Sequence, residues 1–252
     1  MREIPSRRAL LPTRPRTMAP NALTSLWAWW DISVLSTLFQ DSAGSTPVAT
    51  NGDPIGYVAD RLGSGRYLAQ SGAAGTRPTY TTGVQNGLPA ALFDGGDYLD
   101  SVATIDSFPL TIMGVLRRSA TVGATMGIIS NFHSTNFGCR VTFNASNQLV
   151  ARIETPLSTR TSTDAPDVNT PMIFGAYFDV AEFATLTNGA VRSANHAAGA
   201  VANIVSLGRT NVNTTATLYN GYLCEVCVFR SALTTMDIVR LTNYFNAKWA
   251  VY

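Results

Sequence analysis

Charge is scarce in this chain of 252 residues. Asp, Glu, Lys and Arg together make 13% of it, about half of the roughly 25% usual for soluble domains. Lys248 is the single lysine, so nearly all positive charge is arginine. Arginine makes fixed, bidentate contacts better than lysine does; genomic base composition gives the same bias. The three cysteines, Cys139, Cys224 and Cys227, are too few for a disulfide framework. Cys224 and Cys227 form a C-x-x-C, but in the strand-like run YLCEVCVF. Positions three apart in a strand point to opposite faces, and no second cysteine pair completes a zinc site. All three read as small buried residues. Only two histidines exist, His133 and His196. Without a G-x-S-x-G elbow they read as loop or strand-end residues, and a transition-metal site is not expected.

Other absences exclude further classes. No apolar run approaches the roughly 20 residues that span a bilayer, so no membrane partner is expected. Ala9-Leu10-Leu11 is too short for the apolar stretch of a secretory signal. Pro5, Pro12, Pro15 and Pro20 break any amphipathic transit helix. Glycan hydrolysis needs a nucleophile and an acid/base flanking one bond, and carboxylates alternating along one strand would supply them. Glu225 stands alone on its strand, and Glu154 and Glu182 lack partners at period two. The chain is therefore expected not to be an enzyme.

What is present is apolar residue, 46% of the chain, enough for the core of one large β domain. Residues 1–21 differ from the rest. Arg2, Arg7, Arg8, Arg14 and Arg16 against Glu3 give this arm +4, and the remaining residues carry −2. With four prolines it reads as an extended basic arm with no core of its own, ordered only where the body or a neighbouring chain holds it. Residues 22–252 read as one domain. Residues 22–40 carry Trp27, Trp29 and Trp30 and a possible short helix from the N-cap residue Asp31; residues 41–76 read as loops. Strands are expected near 90–94, 98–103, 109–117, 125–132, 138–143, 147–154, 171–179, 183–188, 201–208 and 218–230, at the short spacing of a sandwich. One helix closes the chain. Thr234 caps it, Asp237 sits at N3 as in a capping box, and Ile238, Leu241, Phe245 and Trp249 line one face.

Residues 77–99, RPTYTTGVQNGLPAALFDGGDYL, contain the turn dipeptides Asn86-Gly87 and Gly95-Gly96 around an apolar strand. Their order resembles the opening hairpin of concanavalin A-like (laminin G-like) jelly-roll domains. LTNG at 186–189 resembles a later hairpin of that family, and residues 218–249 resemble its close: a long apolar strand, Leu-Thr, then a helix ending in Lys-Trp. The resemblance covers roughly residues 26 to 250. It implies an all-β antiparallel sandwich, and it places the tryptophan segment at the first strand, largely in the core. Such domains are abundant in bacteriophage and bacterial surface proteins.

Three candidate sites follow. Tyr57 and Tyr67, among glycine-rich loops, are the candidates for stacking on a sugar ring. Asp94, Asp97 and Asp100 form an oxygen-rich turn of the kind calcium favours; the plainer reading is a hairpin turn in which Asp94 bonds its own backbone, and no cofactor is expected. The five arm arginines are the candidates for docking on an acidic protein surface, which suits a lectin-like body better than nucleic acid does. The expected function is a phage virion protein, located in the virion, that decorates a capsid or tail or attaches to it. Its arm would bind other virion proteins, its body would touch host polysaccharide, and it would form a homo-oligomer. The alternatives are a free carbohydrate-binding module, for which these residues contain no linker to a catalytic partner, and a polysaccharide-cleaving enzyme.

Overall fold

A computed structural model describes residues 17–123, 125–131, 138–154, 157–196, 203–211 and 217–252. The arm arginines Arg2, Arg7, Arg8, Arg14 and Arg16, and His133, lie outside the described residues. The first strands are β1 (Leu26–Asp31), β2 (Leu38–Phe39), β3 (Tyr57–Val58), β4 (Leu68–Ala69), β5 (Thr79–Gln85) and β6 (Leu88–Asp94). Next come β7 (Leu99–Ile105), β8 (Leu110–Arg118), β9 (Thr125–Ser130), β10 (Cys139–Asn144), β11 (Leu149–Glu154) and β12 (Leu157–Thr161). The chain continues through β13 (Pro171–Phe178), β14 (Glu182–Thr187), β15 (Ala190–Asn195), β16 (Asn203–Leu207) and β17 (Asn220–Phe229) to the helix α1 (Thr235–Trp249).

These strands form two antiparallel sheets. The back sheet has eight strands in the order β15-β14-β13-β8-β17-β6-β5, with β1 joined to β17. The front sheet has nine, in the order β12-β11-β10-β9-β16-β7-β4-β3-β2. Turn chemistry fixes the hairpins where expected: Asn86 and Gly87, and again Asn188 and Gly189, all adopt positive φ, as a two-residue type I′ turn requires. The expected strands are present; β3 and β4, two residues each, interrupt the stretch 41–76 read as loops, the equally short β2 precedes it, and β12 and β15 lie at sheet edges. Their sequences, LSTRT and AVRSAN, are too polar to show an apolar alternation. Asp31 does not start a regular helix: it ends β1, and only a single 3-10 turn, Leu35–Thr37, follows.

The main core fills the space between the sheets, with Trp30, Phe93, Phe143, Phe174 and Phe178 fully enclosed. A second apolar layer lies between the back sheet and α1, where Trp29, Cys224, Cys227, Phe229 and the helix residues Ile238, Leu241, Phe245 and Trp249 meet. Thr234 caps that helix by accepting from the Asp237 N–H at 3.2 Å. Trp29 and Trp30 thus point to opposite faces of β1, and both are buried.

Strand β17 holds this arrangement together. From Asn220 to Leu223 it pairs with β6, and from Glu225 to Phe229 with β1, while β8 follows its other side throughout. At the change of partner the register with β8 slips by one residue between Leu223 and Glu225. Such a bulge turns two consecutive side chains to one face. It corrects the expectation for the C-x-x-C: Cys224 and Cys227 share the helix-side face, because the extra residue breaks the period of two. Both thiols are buried and free, and burial pushes them far above their ordinary range. No helix among the described residues is long and apolar enough to cross a membrane.

Candidate functional site

The two outer faces of the sandwich are treated differently. Helix α1 covers the back one, and beneath it lies a sealed ion cluster. The bulge puts Glu225 on this face, and the β1 register sets Asp31 directly across from it. Both side chains are completely buried. Lys248 Nζ donates to Asp31 Oδ2 at 2.7 Å and to Glu225 Oε2 at 2.8 Å, and Arg61 Nη1 donates to Asp31 Oδ2 at 2.8 Å. Trp29 Nε1 (2.6 Å) and the Tyr244 hydroxyl (2.9 Å) donate to Glu225 Oε1, and Trp249 Nε1 (2.7 Å) to Oε2. Burial, then the Asp31 charge, push the Glu225 carboxyl up, and Lys248 and Trp249 oppose them. Glu225 is therefore not alone: its partner came from another strand, which spacing within one strand does not reveal. Two carboxylates matched by two cations under a helix are a structural joint, out of a substrate's reach.

On the front face no helix among the described residues lies over the strands, and a groove runs across them. In β10 the even residues Arg140, Thr142 and Asn144 point outward, while Cys139, Val141 and Phe143 are wholly buried. In β11 the outward residues are Val150, Arg152 and Glu154. With Thr125 of β9 and Thr159 and Thr161 of β12, they line a groove of about 210 Å³. Arg140 and Arg152 are direct cross-strand partners. Glu154 Oε1 lies 2.8 Å from Arg140 Nε and 2.9 Å from Arg152 Nε. Neither contact has hydrogen-bond alignment, so Glu154 Oε1 and Arg152 Nε are left without a hydrogen bond among the described residues, while Arg140 Nη1 donates to the Thr210 carbonyl at 3.5 Å. Burial pushes the Arg140 pKa down; Glu154 pulls it up and Arg152 pushes it down. Sequence reasoning missed this groove, because its residues come from four strands and only the strand pairing assembles them.

Tyr57 and Tyr67 do come together, with ring centroids 4.4 Å apart and 25° between planes. They lie on the outer face of the front sheet, beyond β16 and β7 from the groove, since their neighbours Val58 and Leu68 point into the core. Tyr57 belongs to a strand and not to a loop. Its ring is flanked by Tyr67, by the edge of Phe39 at 5.5 Å and by Gly44, which leaves Tyr67 the better placed of the two to meet a sugar.

Asp94 and Asp97 lie close enough for their carboxyl groups to interact, but Asp100 does not join them. Asp94 accepts from the Gly96 N–H, Asp97 from the Asp94 N–H, and Asp100 pairs with Arg209 Nη2 at 2.5 Å. Among the described residues no group of three His, Cys, Asp or Glu is placed to hold a metal. His196 closes a strand end, with its Nε2 at 2.7 Å from the Asp179 carbonyl and its ring edge-on to Phe183.

No family model matches the chain, and no curated protein matches it in sequence. Solved structures do resemble it in fold. Domain 4 of AbnA, a GH43 extracellular arabinanase from Geobacillus stearothermophilus, in complex with arabinotriose, superposes over 86% of this chain and 98% of that one. The TM-score is 0.57 and the identity 15%. Trypanosoma rangeli sialidase, in complex with 2,3-difluorosialic acid, matches over 90% of this chain with a TM-score of 0.55 and 8% identity. The matched region is 33% of the sialidase chain. Likeness at identities this low shows the fold alone: the protein is an antiparallel β-sandwich of the jelly-roll kind, closed by one C-terminal helix.

Proposed function

We propose that this protein is a saccharide-binding domain whose ligand lies along the outer face of the front sheet, and that residues 1–21 tether it to a larger assembly such as a phage particle. The open groove on that face carries the reading. Four adjacent strands supply it with hydroxyl, amide and guanidinium groups, the mixture that hydrogen-bonds sugar hydroxyls. The fold shared with AbnA domain 4, solved with arabinotriose, supports the same reading. The reading is of binding without cleavage, since Asp31 and Glu225, which lie together, are sealed under the helix. The contrast in charge between arm and body supports the tether.

A glycan array with the intact chain tests the binding. Thr159 is exposed, so Thr159→Trp fills the groove without disturbing the core; it should abolish glycan capture and leave the unfolding midpoint unchanged. Capture that survives this substitution would move the site elsewhere, with Tyr67→Ala as the next variant to measure. For the tether, deletion of residues 1–21 should leave a folded body that no longer enters the particle. Normal occupancy of the truncated protein would refute that part.

A further inference from the structure

We infer that the groove selects an anionic saccharide, whose carboxylate or sulfate group sits against the Arg140–Arg152 pair. This rests on the reading of the front face as a saccharide site and names the class of sugar it takes.

Three observations carry it. First, like charges directly opposite each other in a sheet are destabilising, and Arg140 and Arg152 occupy paired positions of β10 and β11. Second, among the residues lining the groove two guanidinium groups face one carboxylate, Glu154; Arg140 also reaches the Thr210 carbonyl through Nη1 at 3.5 Å, so Arg152 is the member of the pair turned to a ligand. The sealed cluster under the helix, by contrast, has two carboxylates and two cations. Third, Arg152 is held at its Nε end by a contact that is not a true hydrogen bond, and its side chain is 36% exposed. Its terminal nitrogens make no hydrogen bond to any described residue, and its only ion partner among them is Glu154. A planar guanidinium placed at its Nε end, with its outer edge unused by any described residue, matches the two oxygens of a carboxylate or sulfate. The surrounding threonines then meet the sugar's neutral hydroxyls.

On the same face, Arg209 already has its partners. Arg209 pairs with Asp100 and lies over the Tyr98 ring at 4.0 Å. The selective point is therefore the β10–β11 pair.

The test titrates the intact chain with a short oligogalacturonate, with its neutral methyl ester, and with a sulfated oligosaccharide of similar length. The acidic sugars should bind, the ester should bind at least about tenfold more weakly, and added salt should weaken only the acidic ones. Comparing the two acidic sugars distinguishes a carboxylate from a sulfate ligand. Arg152→Gln should lower acidic-sugar affinity about tenfold, and Arg152→Lys, which keeps the charge but loses the fork, should fall between. Arg192→Gln, on the back sheet, should change nothing. Equal binding of ester and acid, blocked by Thr159→Trp but indifferent to Arg152→Gln, would overturn the anionic inference and leave saccharide binding intact. Failure of every sugar, neutral and acidic, would overturn the saccharide reading beneath it. Tighter binding of a DNA oligonucleotide than of any acidic sugar, lost in Arg152→Gln, would overturn the inference in favour of nucleic acid.

Discussion

Each outer face of this sandwich carries buried or half-buried charge, and the two faces balance it differently. Under the helix, Asp31 and Glu225 meet Lys248 and Arg61, every carboxylate oxygen of Glu225 has a donor, and α1 covers the whole. On the open front face Arg140 and Arg152 share Glu154. A buried charge needs a partner and hydrogen bonds, or it costs several kcal/mol. A charge at the surface tolerates an imperfect match because water makes up the difference. The closed face therefore reports how the chain is assembled, while on the front face Arg152 keeps part of its guanidinium toward solvent.

Four measurements break or sharpen that contrast. The largest effects belong to the closed face. Trp249 is completely buried between α1 and the back sheet, so Trp249→Ala should destabilise by about 3–5 kcal/mol in urea unfolding; a loss below roughly 1 kcal/mol would mean that the helix contributes little to the fold. Lys248→Met should cost about 3 kcal/mol, the lower part of the range for a broken buried pair, because Arg61 still reaches Asp31. Adding Asp31→Asn to that variant should recover part of the loss. No recovery would mean that Lys248 acts through packing alone.

The third effect is smaller and depends on pH. Asp97 is buried, and its carboxyl is pushed up to about 6, by burial first; the Asp94 N–H opposes this and the Asp94 charge adds to it. In the unfolded chain an aspartate titrates near about 3.9. Between these values the folded protein holds a proton that the unfolded chain has released. Stability from this group is thus full below about pH 4 and is lost as pH rises to about 6. Asp97→Asn keeps an acceptor for the Asp94 N–H and should flatten that decline, as urea midpoints at about pH 4 and about pH 7 would show. The smallest effect belongs to the open face. Arg152→Gln relieves a like-charge cross-strand pair and should leave stability unchanged or raise it by about 0.2–1 kcal/mol. A loss above roughly 1 kcal/mol would show the pair to be a structural element like its counterpart under the helix.

The fold was legible where sequence chemistry is local. Asn86-Gly87 and Asn188-Gly189 announced their hairpins, and Thr234 with Asp237 announced the helix start. Phe93 and Trp249 are buried as their positions implied. What escaped depends on register. One inserted residue in β17 moved Cys224 and Glu225 onto the same face and matched Glu225 to Asp31, 194 positions earlier in the chain. The groove escaped for the same reason. Arg140, Arg152, Thr142 and Thr159 have no common spacing, and only the pairing of β9 through β12 makes them neighbours. Tyr57 and Tyr67 were found as aromatics near a surface, but the stacking that occupies Tyr57 on both sides was not visible in a loop-like sequence.

The change of partner in β17 also sets the order in which this protein is made. Leu26 to Asp31 leave the ribosome long before their sheet neighbours, Glu225 to Phe229, and before Lys248, which neutralises Asp31. Until β17 has been synthesised, a segment holding three tryptophans lacks the strand it pairs with. Contacts this distant in sequence make folding slow, and the exposed apolar strand is a hazard while it waits. The body should therefore fold in one late, cooperative step: a fragment ending before residue 220 should be found in aggregates, while the full chain is recovered soluble.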